Sequence, residues 1–221
     1  MPDLKHSYSS LKMFDQCPKK YYHLRIARDV QDKGSEASIY GERVHKSFED
    51  RLRDGVALPD DLKKHESKCV AIEALGGTLT PEKELCLTKD FVAAGWWDED
   101  VYLRSKLDVF VEKDDKAVIL DWKTGKRKPD FFQLELSAMQ TFMQYPRVDD
   151  IRTGFVWLRD DIIDQRKFVR EDTEDMVDRF QEKVERVDEA NSLGVWQAKP
   201  GPLCEWCPAK DICEFAERRR R

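Results

Sequence analysis

Cys204, Cys207 and Cys213 stand at C-x2-C-x5-C spacing, and Cys17, followed by Pro18, stands some 187 positions earlier. A C-x2-C pair has the spacing of metal-ligating thiolates, and three thiolates call for a fourth. Cys17 is the candidate. If the four share one site, the early and late parts of the chain must meet, and any fold that keeps them apart is excluded. A four-thiolate zinc and an iron–sulfur cluster both satisfy this pattern. Where thiols stay reduced, clustered cysteines point to metal chemistry before disulfides. Cys69 and Cys86 lie alone between these groups and read as small buried side chains.

Between the cysteines the pattern is that of one α/β domain, 1–221. Helical spacing runs over 7–25 (Leu11, Phe14, Tyr21 and Leu24 near one face) and over 38–53, where Val44, Phe48 and Leu52 recur every four residues. A less informative helical stretch, 60–77, closes on Gly76 and Gly77. These elements form an N-terminal helical part, 7–80, that carries Cys17 and His45. The sheet core, 81–160, has strand-like runs at 82–92, 101–112 and 116–124, a helix at 131–145 and a strand at 151–159. A long amphipathic helix follows within 171–195, then the cysteine-bearing tail, 199–221.

The formal net charge of −5, from 39 basic and 44 acidic residues, argues mildly against a nucleic-acid partner. Local basic clusters temper that: Lys19–Lys20 with Arg25, Lys123–Lys126–Arg127–Lys128, and Arg218–Arg221. Each is equally readable as a solvated face. No apolar run approaches the length of a membrane span and residues 1–6 lack a signal-peptide core, so the expectation is a soluble cytoplasmic protein with no membrane partner.

The strongest chemical pattern is Leu107-Asp108 followed by Leu120-Asp121-Trp122-Lys123. Asp121 and Lys123 are two apart on one strand and so share a face, while Val118, Leu120 and Trp122 point to the core. Asp108, on the preceding hairpin strand, falls beside Asp121. Two carboxylates supply oxygen ligands for Mg²⁺ or Mn²⁺, and a lysine two residues on can orient a water or neutralise charge on a phosphorane. A surface salt bridge would produce the same tripeptide.

In context, Asp121-Trp122-Lys123-Thr124-Gly125 with Asp108 on the preceding strand resembles the PD-(D/E)xK nuclease superfamily, in its RecB-like branch. The resemblance implies a mixed central sheet flanked by helices, metal binding by Asp108 and Asp121, a further ligand in the Trp122 backbone carbonyl, and a catalytic Lys123. Gly41-Glu42-Arg43-Val44-His45 resembles that branch's G-x-x-x-H helix, which makes His45 a metal ligand. Gln133 matches the glutamine of its Q-x-x-x-Y helix, although Ser137 occupies the tyrosine position and Ser105 stands where many relatives carry glycine. Gln133, Ser137, Gln140 and Gln144 make one polar stripe, readable as the edge of a DNA cleft or as plain solvent face.

The cysteine pattern framing this core is similar to iron–sulfur nucleases of the AddB type and CRISPR-associated RecB-like exonucleases. It implies a 4Fe–4S cluster on Cys17, Cys204, Cys207 and Cys213 that staples the N- and C-terminal segments. The implied activity is metal-dependent hydrolysis of DNA, as an exonuclease on single strands or free ends, in recombination, repair or phage DNA processing. Lys19, Lys20, Tyr21, Tyr22 and Lys126 are then candidates for contact with the strand. The sequence has no G-x-x-x-x-G-K-[ST], so helicase activity would come from a partner protein. The alternative is a non-catalytic DNA-binding or adaptor subunit of a helicase–nuclease or CRISPR adaptation complex.

Overall fold

The computed structural model describes residues 4–217. The basic run Arg218–Arg221 lies outside them. Two compact units emerge: Ser35–Val177, and the described residues up to Gly34 together with those from Asp178 onward.

Ser35–Val177 opens with α3 (Glu36–Asp54). (The earlier helices α1, Tyr8–Gln16, and α2, Pro18–Tyr21, belong to the other unit.) Ser35 caps α3, accepting from Ser38 N–H while Ser38 Oγ accepts from Ser35 N–H. Gly55, at φ +69, ends it in the left-handed conformation that glycine takes without strain. The stretch expected to be helical at 60–77 is one 3₁₀ turn (Lys63–His65) and a short α4 (Glu66–Glu73). Gly77 then brings the chain onto a neighbouring strand so closely that a Cβ there would meet Glu112 O at 2.3 Å.

Five strands follow: β1 (Thr78–Leu87), β2 (Leu103–Lys113), β3 (Lys116–Lys123), β4 (Asp150–Trp157) and β5 (Ile162–Val169), hydrogen-bonded in that order. All neighbours are antiparallel except β3 and β4. That parallel pair needs a crossover, and α5 (Phe131–Gln144) supplies it. β5 has no counterpart among the strands expected from sequence. It is an edge strand, largely exposed and charged through Asp164, Arg166 and Lys167, so its apolar alternation is lost.

One face of the sheet packs on α3 and α4 through Val44, Phe48, Cys69, Ile72, Val109, Val111, Trp122 and Val156. The other packs on α5 through Leu134, Phe155 and Trp157. Phe48 is fully buried and stacks on Trp122 with centroids 4.2 Å apart. Phe48→Ala is expected to cost about 3–5 kcal/mol in a urea melt of the whole chain. A loss below about 1 kcal/mol would show that this stack does not hold α3 to the sheet.

The other unit gathers α1, α2, a π-turn (Tyr22–Ala27), most of α6 (Thr173–Leu193) and the cysteine-bearing tail, with α7 (Glu214–Glu217). The early and late segments do meet here. Asp15 pairs with Lys183 at 2.6 Å and with Arg186 at 2.9 Å, and its backbone carbonyl accepts from Lys199 Nζ at 2.9 Å. Phe14, Tyr21 and Trp196 form an aromatic nest, with Tyr21 stacked on Trp196 at 5.7 Å. Tyr21 is therefore not available to a DNA strand. It is 1% exposed, and burial raises its phenol's pKa above the ordinary value. No helix among the described residues is long and apolar enough to cross a membrane.

Candidate metal centre and cysteine cavity

The strand register builds the first site. β2 and β3 pair at Val109↔Leu120, so one further step sets Asp108 opposite Asp121. β1 and β2 pair at Pro81↔Val109 and Lys83↔Leu107, so Glu82 falls opposite Asp108. Glu82, Asp108 and Asp121 thus lie on three successive strands where the regular pairing is interrupted. α3 adds His45, whose Nδ1 is 3.1 Å from Asp108 Oδ1. The other Asp108 oxygen accepts from Trp122 N–H at 2.7 Å, which holds this carboxylate at the strand end.

One ligand atom each from His45, Glu82 and Asp108 fit within 4.8 Å of one another, a spacing that a single metal ion can bridge. Glu82 was not among the residues singled out from sequence. Its place opposite Asp108 depends on a register across residues 88–102, and it sits at φ +55, off the regular strand geometry. It also pairs with Lys106 at 2.7 Å.

Asp121 and Lys123 point to the α5 side, as their spacing predicts. Lys123 Nζ is 2.7 Å from Asp121 Oδ2. That oxygen is buried, and the ammonium is its charged neighbour. Gln133, in the first turn of α5, joins the two: its Nε2 donates to Asp121 Oδ1, and its Oε1 accepts from Lys123 Nζ at 3.0 Å. The rest of its stripe serves the fold. Gln140 and Gln144 donate to Leu85 O and Cys86 O, and Gln140 is wholly buried, so those positions line neither cleft nor solvent.

Burial raises the Asp121 carboxyl to about 6, and the Asp108 charge adds to this; the Lys123 ammonium offsets only part. Burial lowers the His45 pKa, but its hydrogen bond to Asp108 and the charges of Asp108, Asp121 and Glu82 outweigh that, leaving it above the ordinary histidine value. Both groups hold protons that a cation would have to displace. With both protons displaced, divalent-ion affinity should therefore fall by up to about a hundredfold per pH unit below about 6. Calorimetric titration with Mn²⁺ across that range tests this, and a pH-independent affinity would contradict it. The stability sign is opposite. Asp121's folded value lies above its unfolded one, so in metal-free protein its burial costs stability above about pH 6. That cost is relieved as pH falls toward the ordinary carboxylate range.

The donor set fits a divalent cation: an imidazole, carboxylates in register, and one buried carboxylate oxygen without a hydrogen-bond partner. A lysine two residues beyond the second aspartate stands beside it, on a mixed sheet between helices. The family model of the PD-(D/E)XK nuclease superfamily matches residues 5–214. The chain belongs to that superfamily. Among solved structures it is similar to an Eubacterium rectale protein provisionally named an exonuclease, at 12% identity and TM-score 0.54, covering 98% of this chain and 88% of that one. It is also similar to SSO0001, at 12% identity and TM-score 0.49, covering 96% and 87%. No curated protein matches the chain.

The second site lies in the unit that holds both chain ends. Cys17, Cys204, Cys207 and Cys213 all line one cavity of about 450 Å³, with Lys20, His23, Pro202 and Trp206 among its walls. Lys199 N–H donates to Cys17 Sγ at 3.4 Å, and Gly201 N–H to Cys204 Sγ at 3.3 Å. Burial raises the Cys207 thiol, and its neighbours Cys17 and Cys213 push the same way, against Lys20. Among the described residues, no three of these sulfurs lie within 4.8 Å of one another. Cys69 and Cys86 are buried elsewhere, as expected, and burial pushes the Cys69 thiol up to about 11.

Proposed function

We propose that this protein is a metal-dependent DNA exonuclease acting on single strands or free ends, with a 4Fe–4S cluster on Cys17, Cys204, Cys207 and Cys213. The observation that carries the nuclease reading is the cluster of His45, Glu82 and Asp108, with the Asp121–Lys123 pair on the next strand. Mg²⁺ or Mn²⁺ held there supplies a water of lowered pKa and a clamp on phosphate oxygens.

The chain's own groups do the rest. His45, Glu82, Asp108 and Asp121, with the Trp122 backbone carbonyl, hold the cation, and Glu82 extends the ligand set expected from sequence. Lys123 places its ammonium where negative charge develops on the phosphoryl oxygens. Gln133 keeps Lys123 and Asp121 aligned, each by one amide hydrogen bond. Lys19, Lys20 and Lys126 are candidates for phosphate contact. A provisionally named exonuclease of the same fold supports the end-directed reading.

The cluster reading is supported by four cysteines on one cavity wall and by two amide donors on sulfur. A helicase or recombination partner, and a role in recombination, repair or phage DNA processing, follow from the same reading.

The test is degradation of an end-labelled linear single strand against a circular one, with Mn²⁺, by anaerobically purified protein. Loss of the linear strand alone is expected. Cleavage of circles would replace the exonuclease by an endonuclease. Iron and acid-labile sulfide, measured on the same sample, test the cluster separately, and zinc in their place would refute it.

A further inference from the structure

The hairpin that carries Asp108 closes through residues 88–102, and this loop is tied down along its length. Thr88 N–H donates to Val92 O at 2.9 Å, Ala94 N–H to Cys86 O at 3.0 Å, and Tyr102 N–H to Leu87 O at 2.8 Å. Between these ties, Asp98 N–H donates to Gly95 O at 3.2 Å and Gly95 N–H to Asp98 Oδ2 at 2.6 Å. They close a turn whose central residues are Trp96 and Trp97. Trp97 is 85% exposed, an indole held in water by an ordered turn. An aromatic residue whose backbone is already ordered loses less entropy when something stacks on its ring than one in a loose loop.

Trp96 lies back against β2, with the Arg104 guanidinium 5.3 Å from its ring centre. Arg104 Nε is buried and has no hydrogen-bond partner, an unusual state for a guanidinium nitrogen. Arg104, Lys106 and Asp108 occupy alternate positions on β2 and so share a face. Arg104 lies roughly 13 Å along the strand from Asp108. By register, the start of β2, the end of β1 and the end of β3 at Lys123 lie at the same edge of the sheet. Arg104 and the turn that packs Trp96 against it both lie at this edge.

The geometry points to a single-stranded-DNA subsite here, in which Arg104 takes a backbone phosphate and Trp97 stacks on an unpaired base. This rests on the nuclease reading and specifies the substrate that its centre receives. Asp98, Glu99 and Asp100 flank Trp97 and repel phosphates, so contact at the tip is through the face of a base. A blunt duplex, with its bases already stacked and its phosphates outermost, is disfavoured. Arg104 supplies the charge and Trp97 the sequence-tolerant stacking that single-strand grooves combine.

The test is binding of a fluorescein-labelled oligothymidine to the full-length protein in Ca²⁺, followed by anisotropy at several salt concentrations. This reads the subsite whether or not the centre turns over. Trp97→Ala is expected to weaken binding about tenfold without changing the salt dependence. Arg104→Ala should weaken it and lower the salt slope by about one. Trp97→Phe should restore most of the loss, whereas Trp97→Leu, apolar but without a π face, should not. Unchanged affinity in Trp97→Ala and Arg104→Ala, or equal binding by Trp97→Leu and Trp97→Phe, would overturn the proposal. Cleavage of a small nitrophenyl phosphodiester, too short to reach the turn, is measured in parallel with Mn²⁺. Wild type inactive on it, but with the binding pattern above, would count against the nuclease reading and leave the subsite standing.

Discussion

Lys123→Ala is expected to lower metal-dependent DNA hydrolysis by about 10²–10³-fold while the protein stays folded and binds Mn²⁺ at least as tightly as wild type. The ammonium is part exposed at the end of β3, so its loss opens no cavity in the core. Its ammonium sits over the Phe155 ring, 5.1 Å from the centroid, and is fixed by Asp121 on one side and Gln133 on the other. A cation held that way is aimed before substrate arrives, so its stabilisation of developing charge needs no reorganisation. Removing it also removes a positive neighbour of the metal, which is why affinity should not fall. Gln133→Ala should cost less, about 10–100-fold, because it leaves the charge and loosens only its aim. Single-turnover rates with calorimetric metal binding on the same variants check both. Wild-type turnover in Lys123→Ala would remove the lysine from the chemistry.

Cys207→Ala is expected to give colourless protein whose terminal unit is loosened by several kcal/mol. Where ligand thiolates meet only in the folded state, metal-binding energy is folding energy. Part of the unit's cohesion does not involve the cysteines: Asp15 with Lys183 and Arg186, and the nest of Phe14, Tyr21 and Trp196. These part-exposed ion pairs are each worth about 1 kcal/mol or less, so they hold the segments near one another without replacing the cluster. Two-step melting is the signature, with the early step shifted in Cys207→Ala. A brown, fully active variant would contradict the assignment.

The hairpin was legible because its chemistry is local. Asp108 and Asp121 sit on adjacent strands joined by a tight turn, and alternation alone places Asp121 and Lys123 on one face. Gln133 followed from the resemblance of its helix to the Q-x-x-x-Y pattern. Glu82 was not legible, since its place opposite Asp108 depends on pairing across the long 88–102 loop and on a backbone at positive φ. Tyr21 misled because lysines adjoin it in sequence, while helix periodicity turns its ring inward against Trp196, far along the chain. β5 escaped because an exposed edge strand need not carry an apolar pattern. The glutamine stripe of α5 reads as surface in a helical wheel. In the fold its later members donate to β1 carbonyls, an arrangement that only the packed sheet creates.

The most direct test of the central claim compares wild type with Asp121→Ala on end-labelled single-stranded DNA, with Mn²⁺ and with chelator. The account predicts digestion by wild type with Mn²⁺ alone, and none by Asp121→Ala, although both bind the strand. Folded wild type that binds the strand but leaves it intact with either Mn²⁺ or Mg²⁺ would contradict it, and would make this fold a DNA-binding adaptor.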